Sequence, residues 1–348
     1  MTAVGTGDPM TLDLPPGWGG SGDLKVAGVD IGGTQCSVNV GQVSDGALRL
    51  VTRDQFATRV ERGPEQVLVD IERRLSKLWD GKERPSVMGI SCGGPLDADR
   101  GVVQSPPNLP GWDDIAIVAR LEASLGVPCV LENDANACVL AEWAFGSGKG
   151  LSDVVYLTFG TGLGAGMVLQ GKLHRGTGGL AGEVGHWQLG PYSGPEVYRK
   201  RGSFEGYCSG NGIAQWFRYL GGASPDGERP TAKVVAALAR DGEPIAVRVF
   251  KQAAEQLGAG IAMIVDLLAP ELVAVGGVFV YANDLLRDGM YARFLEEVHP
   301  GLVEKCRVVP AALGETLGSY ASCCVAVEAA LGQRGATLRT KEGTRESV

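Results

Sequence analysis

The chain has 348 residues, 44% hydrophobic and 21% charged, the composition of a soluble globular protein with about two domains rather than of a disordered chain. A net charge of -8 argues against sequence-independent binding to nucleic acid, which needs clustered Lys and Arg. No run reaches the roughly 18 apolar residues of a membrane span, and the start lacks the basic and apolar regions of a secretory signal.

Residues 1–23, "MTAVGTGDPMTLDLPPGWGGSGD", read as a flexible leader rich in Gly and Pro. "KVAGVDIGGTQCSVNVGQV" alternates apolar and small residues on both sides of Gly32-Gly33, the pattern of a β-hairpin. "PEQVLVDIERRLSKLW" has helical periodicity, "PSVMGISCGG" reads as a buried strand, "WDDIAIVARLEASLG" as a helix, "PCVLEND" as a strand and "ANACVLAEWAFG" as a helix. "LSDVVYLTFGTGLGAGMVLQGKL" then repeats the strand, glycine turn and strand of the first hairpin. A long amphipathic helix, "AVRVFKQAAEQLGAGIAMIVDLL", precedes the strand "ELVAVGGV", and the helix "GSYASCCVAVEAALG" closes the pattern before a polar tail. Alternating strands and helices predict an α/β fold, and two related hairpins predict two similar halves around a cleft.

The glycine turns permit close approach of main-chain N–H groups to an anion, and Thr34 adds a hydroxyl. Asp30 precedes the first turn, where it suits a hydrated Mg²⁺ held by phosphates better than the phosphates themselves. Either turn alone also reads as an ordinary hairpin loop. Three glycine-rich strand ends together resemble the nucleotide-binding superfamily of actin, hexokinase and Hsp70, with its ribonuclease H-like fold. In that superfamily the two hairpins hold phosphates and the third glycine pair lies against adenosine. The resemblance assigns Gly32, Gly33, Thr34, Thr161 and Gly162 to phosphate and Gly276 and Gly277 to the nucleoside.

"ENDANA" puts Asn133 and Asp134 where a strand ends and a helix starts; either suits a helix N-cap as well as a polar ligand. Here the resemblance narrows. "DIGGT", "SPPNLPGW", "ENDANA", "GTGLGAG" and "GLAGEVGH" followed by "FEGYCSG" are similar, in order, to the motifs of the ROK family of sugar kinases and sugar-responsive repressors, over about residues 25–332. The resemblance implies transfer of the γ-phosphate of ATP to a hexose hydroxyl, usually on carbon 6, in a cytoplasmic homodimer. Asp134 would be the general base, Asn108, Asn133 and Asp134 would bind sugar hydroxyls, and Glu183, His186 and Glu205 would hold the ring near carbons 1 to 3. The implied domains are an N-terminal α/β domain, 24–145, joined by a C-terminal helix at about 316–332, and a second α/β domain, 146–315, with 333–348 as tail. Glucose and N-acetylglucosamine lead as acceptors; N-acetylmannosamine, fructose, mannose and allose stay open.

Two departures from the family pattern matter. Members commonly bind zinc through the His of "GH" and three cysteines before the second Glu, whereas "GPYSGPEVYRKRGSFE" holds no cysteine and has Ser203 where the last would stand. His186 alone cannot close a tetrahedral site, so no zinc is expected, and packing of Tyr192, Tyr198 and Phe204 is expected to hold the loop. Gln35 stands where the family often has Lys. The eight cysteines are scattered, without a C-x-x-C pair, and read as reduced core thiols. A repressor would need a helix-turn-helix domain, and the 29 residues before Asp30 are too few and too rich in Gly and Pro to supply one. A sugar-binding protein without kinase activity is the remaining alternative.

Overall fold

In a computed structural model that describes residues 11–15, 18, 23–191, 193–197 and 199–331, the chain divides into two compact units, one of residues 1–150 with 315–348 and one of residues 151–314. The first unit carries a six-stranded sheet. Its strands in chain order are β1 (Thr11–Asp13), β2 (Leu24–Ile31), β3 (Gln35–Ser44), β4 (Ala47–Ala57), β5 (Val87–Cys92) and β6 (Cys129–Asn133), and their order across the sheet is β1-β4-β3-β2-β5-β6. β2 pairs antiparallel with β3 and parallel with β5. That junction brings the first glycine turn beside the end of a buried parallel strand.

Helix α1 (Gly63–Leu78) buries Val67, Leu68, Ile71 and Leu75, the apolar positions of its helical period. Together with α2 (Ile117–Leu125) it joins the core that contains Val29, Ile31, Met88, Ile90 and Leu131. Helix α2 starts later than "WDDIAIVARLEASLG" predicts, because Ile115 pairs with Val103 as an isolated bridge. Helix α3 (Asp134–Phe145) follows β6 directly, and the last helix, α10 (Leu317–Leu331), buries nearly its whole length against β2, β5 and α3. Its apolar composition on every side fits this central position. Part of the expected leader is structured: Thr11–Asp13 pairs with β4, and the Trp18 ring meets Trp143 edge-on at 5.8 Å. Tertiary contact overrides the weak local preference of that stretch.

The second unit repeats the plan with five strands: β7 (Val154–Phe159), β8 (Leu163–Leu169), β9 (Lys172–Leu173), β12 (Leu272–Val275) and β13 (Arg307–Pro310), in the order β9-β8-β7-β12-β13. Between β9 and β12 lie a small hairpin, β10 (Glu196–Val197) with β11 (Lys200–Arg201), and helices α4 (Phe204–Tyr207), α5 (Gly210–Tyr219), α6 (Ala232–Arg240) and α7 (Pro244–Leu268). Helices α8 (Val278–Tyr281) and α9 (Asn283–Glu297) follow β12. The small residues of α7 serve this unit internally. A β-carbon at Gly258 would meet the main chain of α9, and one at Gly260 would enter the Phe204 ring. Among the described residues no helix is long and apolar enough to cross a membrane.

Candidate active site

In the first unit the turn after β2 is closed by main-chain bonds. Gly32 N–H donates to the Gln35 carbonyl at 3.0 Å, Thr58 N–H to the Thr34 carbonyl at 2.9 Å and the Thr58 hydroxyl to the Gly32 carbonyl at 2.6 Å. Thr34 and Gln35 are left exposed. The opposite side of the turn rests on Asn108: a β-carbon at Gly33 would come within 2.5 Å of the Asn108 carbonyl oxygen.

Asp30, at the end of β2, accepts a hydrogen bond from the Ser91 hydroxyl at 3.0 Å. Its carboxylate also lies against Gly318 in the first turn of α10, where any side chain would collide with it. Burial pushes the Asp30 carboxyl up to about 6, the negative charge of Asp134 adds to this, and Ser91 and the Arg53 guanidinium oppose it. Such a carboxylate gains from a facing cation, which suits the hydrated Mg²⁺ implied by the sequence.

Asp134 is the first residue of α3, where the partial positive charge of the helix start favours an anion. Asn133 is the N-cap, and its Oδ1 accepts from Ala135 N–H at 2.9 Å and Asn136 N–H at 3.4 Å. The cap reading holds for Asn133, which leaves the Asp134 carboxylate to approach the Gly93 corner. Around the β-carbon position of Gly93, the Asn108 amide lies at 3.5 Å and the Asp134 Oδ2 at 3.7 Å, so both side chains border the corner that follows β5. The Asn133 Nδ2 lies 3.4 Å from the same point on Gly94. Cys92, just before, is fully buried and its thiol is pushed well up by burial and by the charges of Asp134 and Asp30, which makes it inert.

In the second unit, the turn of Gly160, Thr161 and Gly162 is fastened to the start of α5. Gly210 N–H donates to the Gly160 carbonyl at 2.7 Å and Asn211 N–H to the Thr161 carbonyl at 3.3 Å. Glu205 holds the other side: its Oε2 accepts from Leu163 N–H at 2.9 Å. Burial raises the Glu205 carboxyl; the Leu163 N–H and the His186 charge lower it, and Glu183 raises it further. Glu183 precedes and His186 ends a 3₁₀ turn, with the His186 Nε2 and Glu183 Oε2 at 4.0 Å and both side chains 57% exposed. Thus Glu183, His186 and Glu205 share one electrostatic neighbourhood. The third glycine pair closes onto β7: a β-carbon at Gly277, whose φ is 58°, would strike the Phe159 carbonyl.

The segment from Gly190 to Ser203, where the family resemblance puts cysteines, is held by hydrogen bonds and rings. Gln188 Nε2 donates to the carbonyls of Gly190 at 2.6 Å and Arg201 at 2.8 Å, and Leu189 and Gly190 N–H groups both reach the Gly202 carbonyl. Arg201 pairs with Glu196 at 2.9 Å, and Lys200 donates to the His186 carbonyl. Ser203, at the position of the missing last cysteine, is buried and caps α4 by accepting from Gly206 N–H at 3.1 Å. Phe204 is buried and stacks on Trp187 at 6.3 Å, 8° from parallel. Tyr192 and Tyr198, expected to share this role, lie outside the described residues. Sequence reasoning missed Gln188 and Trp187, which carry no motif signal. Among the described residues there is no group of three or more His, Cys, Asp and Glu that could hold a metal ion, and all eight cysteines are free thiols.

The ROK family model matches residues 26–325. The chain is 33% identical over 317 residues to the glucokinase of Thermotoga maritima, covering 88% of this chain and 98% of that protein. Among solved structures it is similar to the ROK hexokinase of Thermus thermophilus, with TM-score 0.71, 31% identity and coverage of 87% and 98% of the two chains. It is also similar to the ROK family glucokinase of Streptomyces griseus in complex with glucose and AMPPNP, with TM-score 0.72, 30% identity and coverage of 87% and 99%.

Proposed function

This chain belongs to the ROK family, and on that premise we propose that it is an ATP-dependent hexose kinase whose acceptor is the 6-hydroxyl of glucose. The observation that carries the reading is local to the first unit: the Asp134 carboxylate and Asn108 amide both border Gly93, and the charge of Asp134 is felt by Asp30. A proton acceptor, a hydroxyl ligand and a cation-facing carboxylate are what phosphoryl transfer to an alcohol requires. The glucose and AMPPNP bound by the Streptomyces griseus protein support the choice of sugar and nucleotide.

Asp134 accepts the proton of the attacking hydroxyl, and Asn108 and the Nδ2 of Asn133 orient that sugar. Asp30 faces the hydrated Mg²⁺, which when bound screens the charge of the ATP phosphates. The main-chain N–H groups of Gly33, Thr34, Thr161 and Gly162 receive phosphate oxygens, Gly32 shapes the turn with its own N–H bonded to the Gln35 carbonyl, and Gly276 and Gly277 leave room for the nucleoside. Glu183, His186 and Glu205 bind the remaining sugar hydroxyls. A homodimer in the cytoplasm completes the reading; Met263 and Leu267 on α7, 45% and 74% exposed, support an apolar contact between copies. Light scattering at micromolar concentration that gives a single-chain mass would refute the dimer.

The test of the activity is phosphoryl transfer from γ-labelled ATP to a hexose panel in the presence of Mg²⁺. Labelled glucose 6-phosphate is the expected product. Transfer to another hexose alone would move the specificity. Sugar binding without transfer would favour the non-catalytic alternative.

A further inference from the structure

On the second unit, a pocket of about 350 Å³ opens between hairpin β10–β11 and helix α5, with Glu196, Arg201, Gln215, Trp216, Arg218 and Tyr219 in its lining. Small-ligand sites span about 300–1,000 Å³, so the pocket is at the lower end of that range. The Tyr219 ring lies on Trp216 with centroids 5.1 Å apart and planes 11° from parallel. Trp216 is itself fixed: its Nε1–H donates to Gln252 Oε1 at 2.8 Å, and Tyr207 meets its ring at 75°. Tyr219 is nonetheless 66% exposed. One face of a tyrosine ring is therefore backed by a locked indole, and the rest of the side chain is open to solvent.

We propose that this pocket binds a neutral pyranose, separately from the groups assigned to phosphoryl transfer. An aromatic face carries negative π charge and attracts the C–H-bearing face of a pyranose ring, and a ring held flat by a second ring loses little freedom on binding. The polar lining decides between ligand classes. Gln215 both donates and accepts, Arg201 and Arg218 donate, and Glu196, paired with Arg201 at 2.9 Å, accepts. Sugar hydroxyls need both donors and acceptors, which this mixed lining supplies, whereas a phosphate would find Arg201 already paired with Glu196. The ligand is thus the same chemical class as the proposed acceptor, but the inference does not depend on the kinase reading, because no residue of the pocket is assigned to catalysis.

The experiment uses the full chain with its six tryptophans labelled with ¹⁵N at the indole, Trp216 being identified by the resonance that Trp216→Phe removes. Methyl glucopyranoside is the probe, with AMP and inorganic phosphate as controls. The Trp216 indole resonance is expected to shift saturably with the pyranoside, to require about tenfold more of it in Tyr219→Ala, and to respond within about twofold of the unchanged protein in Tyr219→Phe. Kinase turnover is expected to be equal in all three proteins, and its loss in either Tyr219 variant would overturn the separation of this pocket from the active site, whereas absence of turnover in the unchanged protein would count only against the kinase reading. No response to the pyranoside, an equal response in Tyr219→Ala, or a response to AMP or phosphate instead would overturn the proposal.

Discussion

The main chain of Gly33 lies on that of Asn108, so closely that a β-carbon on the glycine would stand 2.5 Å from the asparagine carbonyl oxygen and 3.0 Å from its β-carbon. The proposed phosphate turn and the proposed sugar ligand therefore share one contact. Gly33→Ala must displace one or both, since backbone cannot yield as a flexible side-chain end can. The variant is expected to raise KM for ATP and for hexose together, each by about tenfold, a shift of a catalytic geometry rather than a loss of one ligand. A change confined to the ATP KM would show that the contact transmits nothing.

Asp134→Asn keeps the start of α3 in place, because the cap is Asn133. The fold and hexose affinity are expected to hold within a few-fold while kcat falls about 10² or more, the scale of general-base catalysis. Full activity in steady-state assays would remove Asp134 from the mechanism.

Asp30 gives a pH dependence with a definite sign. Its carboxyl is raised from 3.8 to about 6 by burial, so below about 4 both folded and unfolded chains carry the proton. As pH rises from about 4 to about 6 the unfolded chain ionises while the folded chain keeps its proton, so stability is lost across that window; above about 6 the folded carboxyl ionises too and the loss stays constant. Asp30→Asn lacks this loss. In Mg²⁺-free buffer its thermal midpoint is expected to exceed that of the unchanged protein at about pH 8, by a margin worth on the order of 2–3 kcal/mol, and to match it near pH 4. A margin that is constant with pH would show that Asp30 is not the group responsible.

The Gly190–Ser203 segment is expected to hold without zinc. Elemental analysis of the purified protein should find no stoichiometric zinc, and transition-metal chelators should leave the circular dichroism unchanged. Ser203→Ala, which removes the α4 cap, should cost about 1 kcal/mol of stability in denaturant melts. One zinc per chain, lost together with activity on replacing His186, would restore a metal role there.

Glu205 is expected to tolerate Gln as a structural residue and not as a ligand. A Gln oxygen still accepts the Leu163 N–H, and the raised carboxyl means that the charge is unfavourable in the folded chain at neutral pH. Glu205→Gln should therefore be at least as stable as the unchanged protein at pH 7, and any gain should vanish in acid, while the hexose KM rises far more than the ATP KM. Equal rises in both would place Glu205 with the phosphates.

The alternation around Gly32-Gly33 and Gly160–Gly162, the helical periods of α1 and α7 and the ordered motifs were enough to indicate an α/β chain of two related halves in the ROK family, because period-2 and period-3.6 patterns are written residue by residue. The strands β1 and β4, the hairpin β10–β11 and the helices α5, α6 and α9 were not legible in the same way. Thr11–Asp13 is a strand only because β4 offers an edge, and the hairpin depends on Gln188 reaching two carbonyls from outside it. The gathering of Asn108 and Asp134 around Gly93, the contact of Asp30 with Gly318 and the raised Asp30 carboxyl join residues far apart in the chain. The same holds for the α7 glycines, whose sequence permits close packing but whose partners, α9 and Phe204, are set by the folded unit. Sequence pattern specifies which face of an element is apolar and which residues carry chemistry; proximity, desolvation and charge coupling exist only once the chain has closed on itself, and those decided the electrostatics of the site.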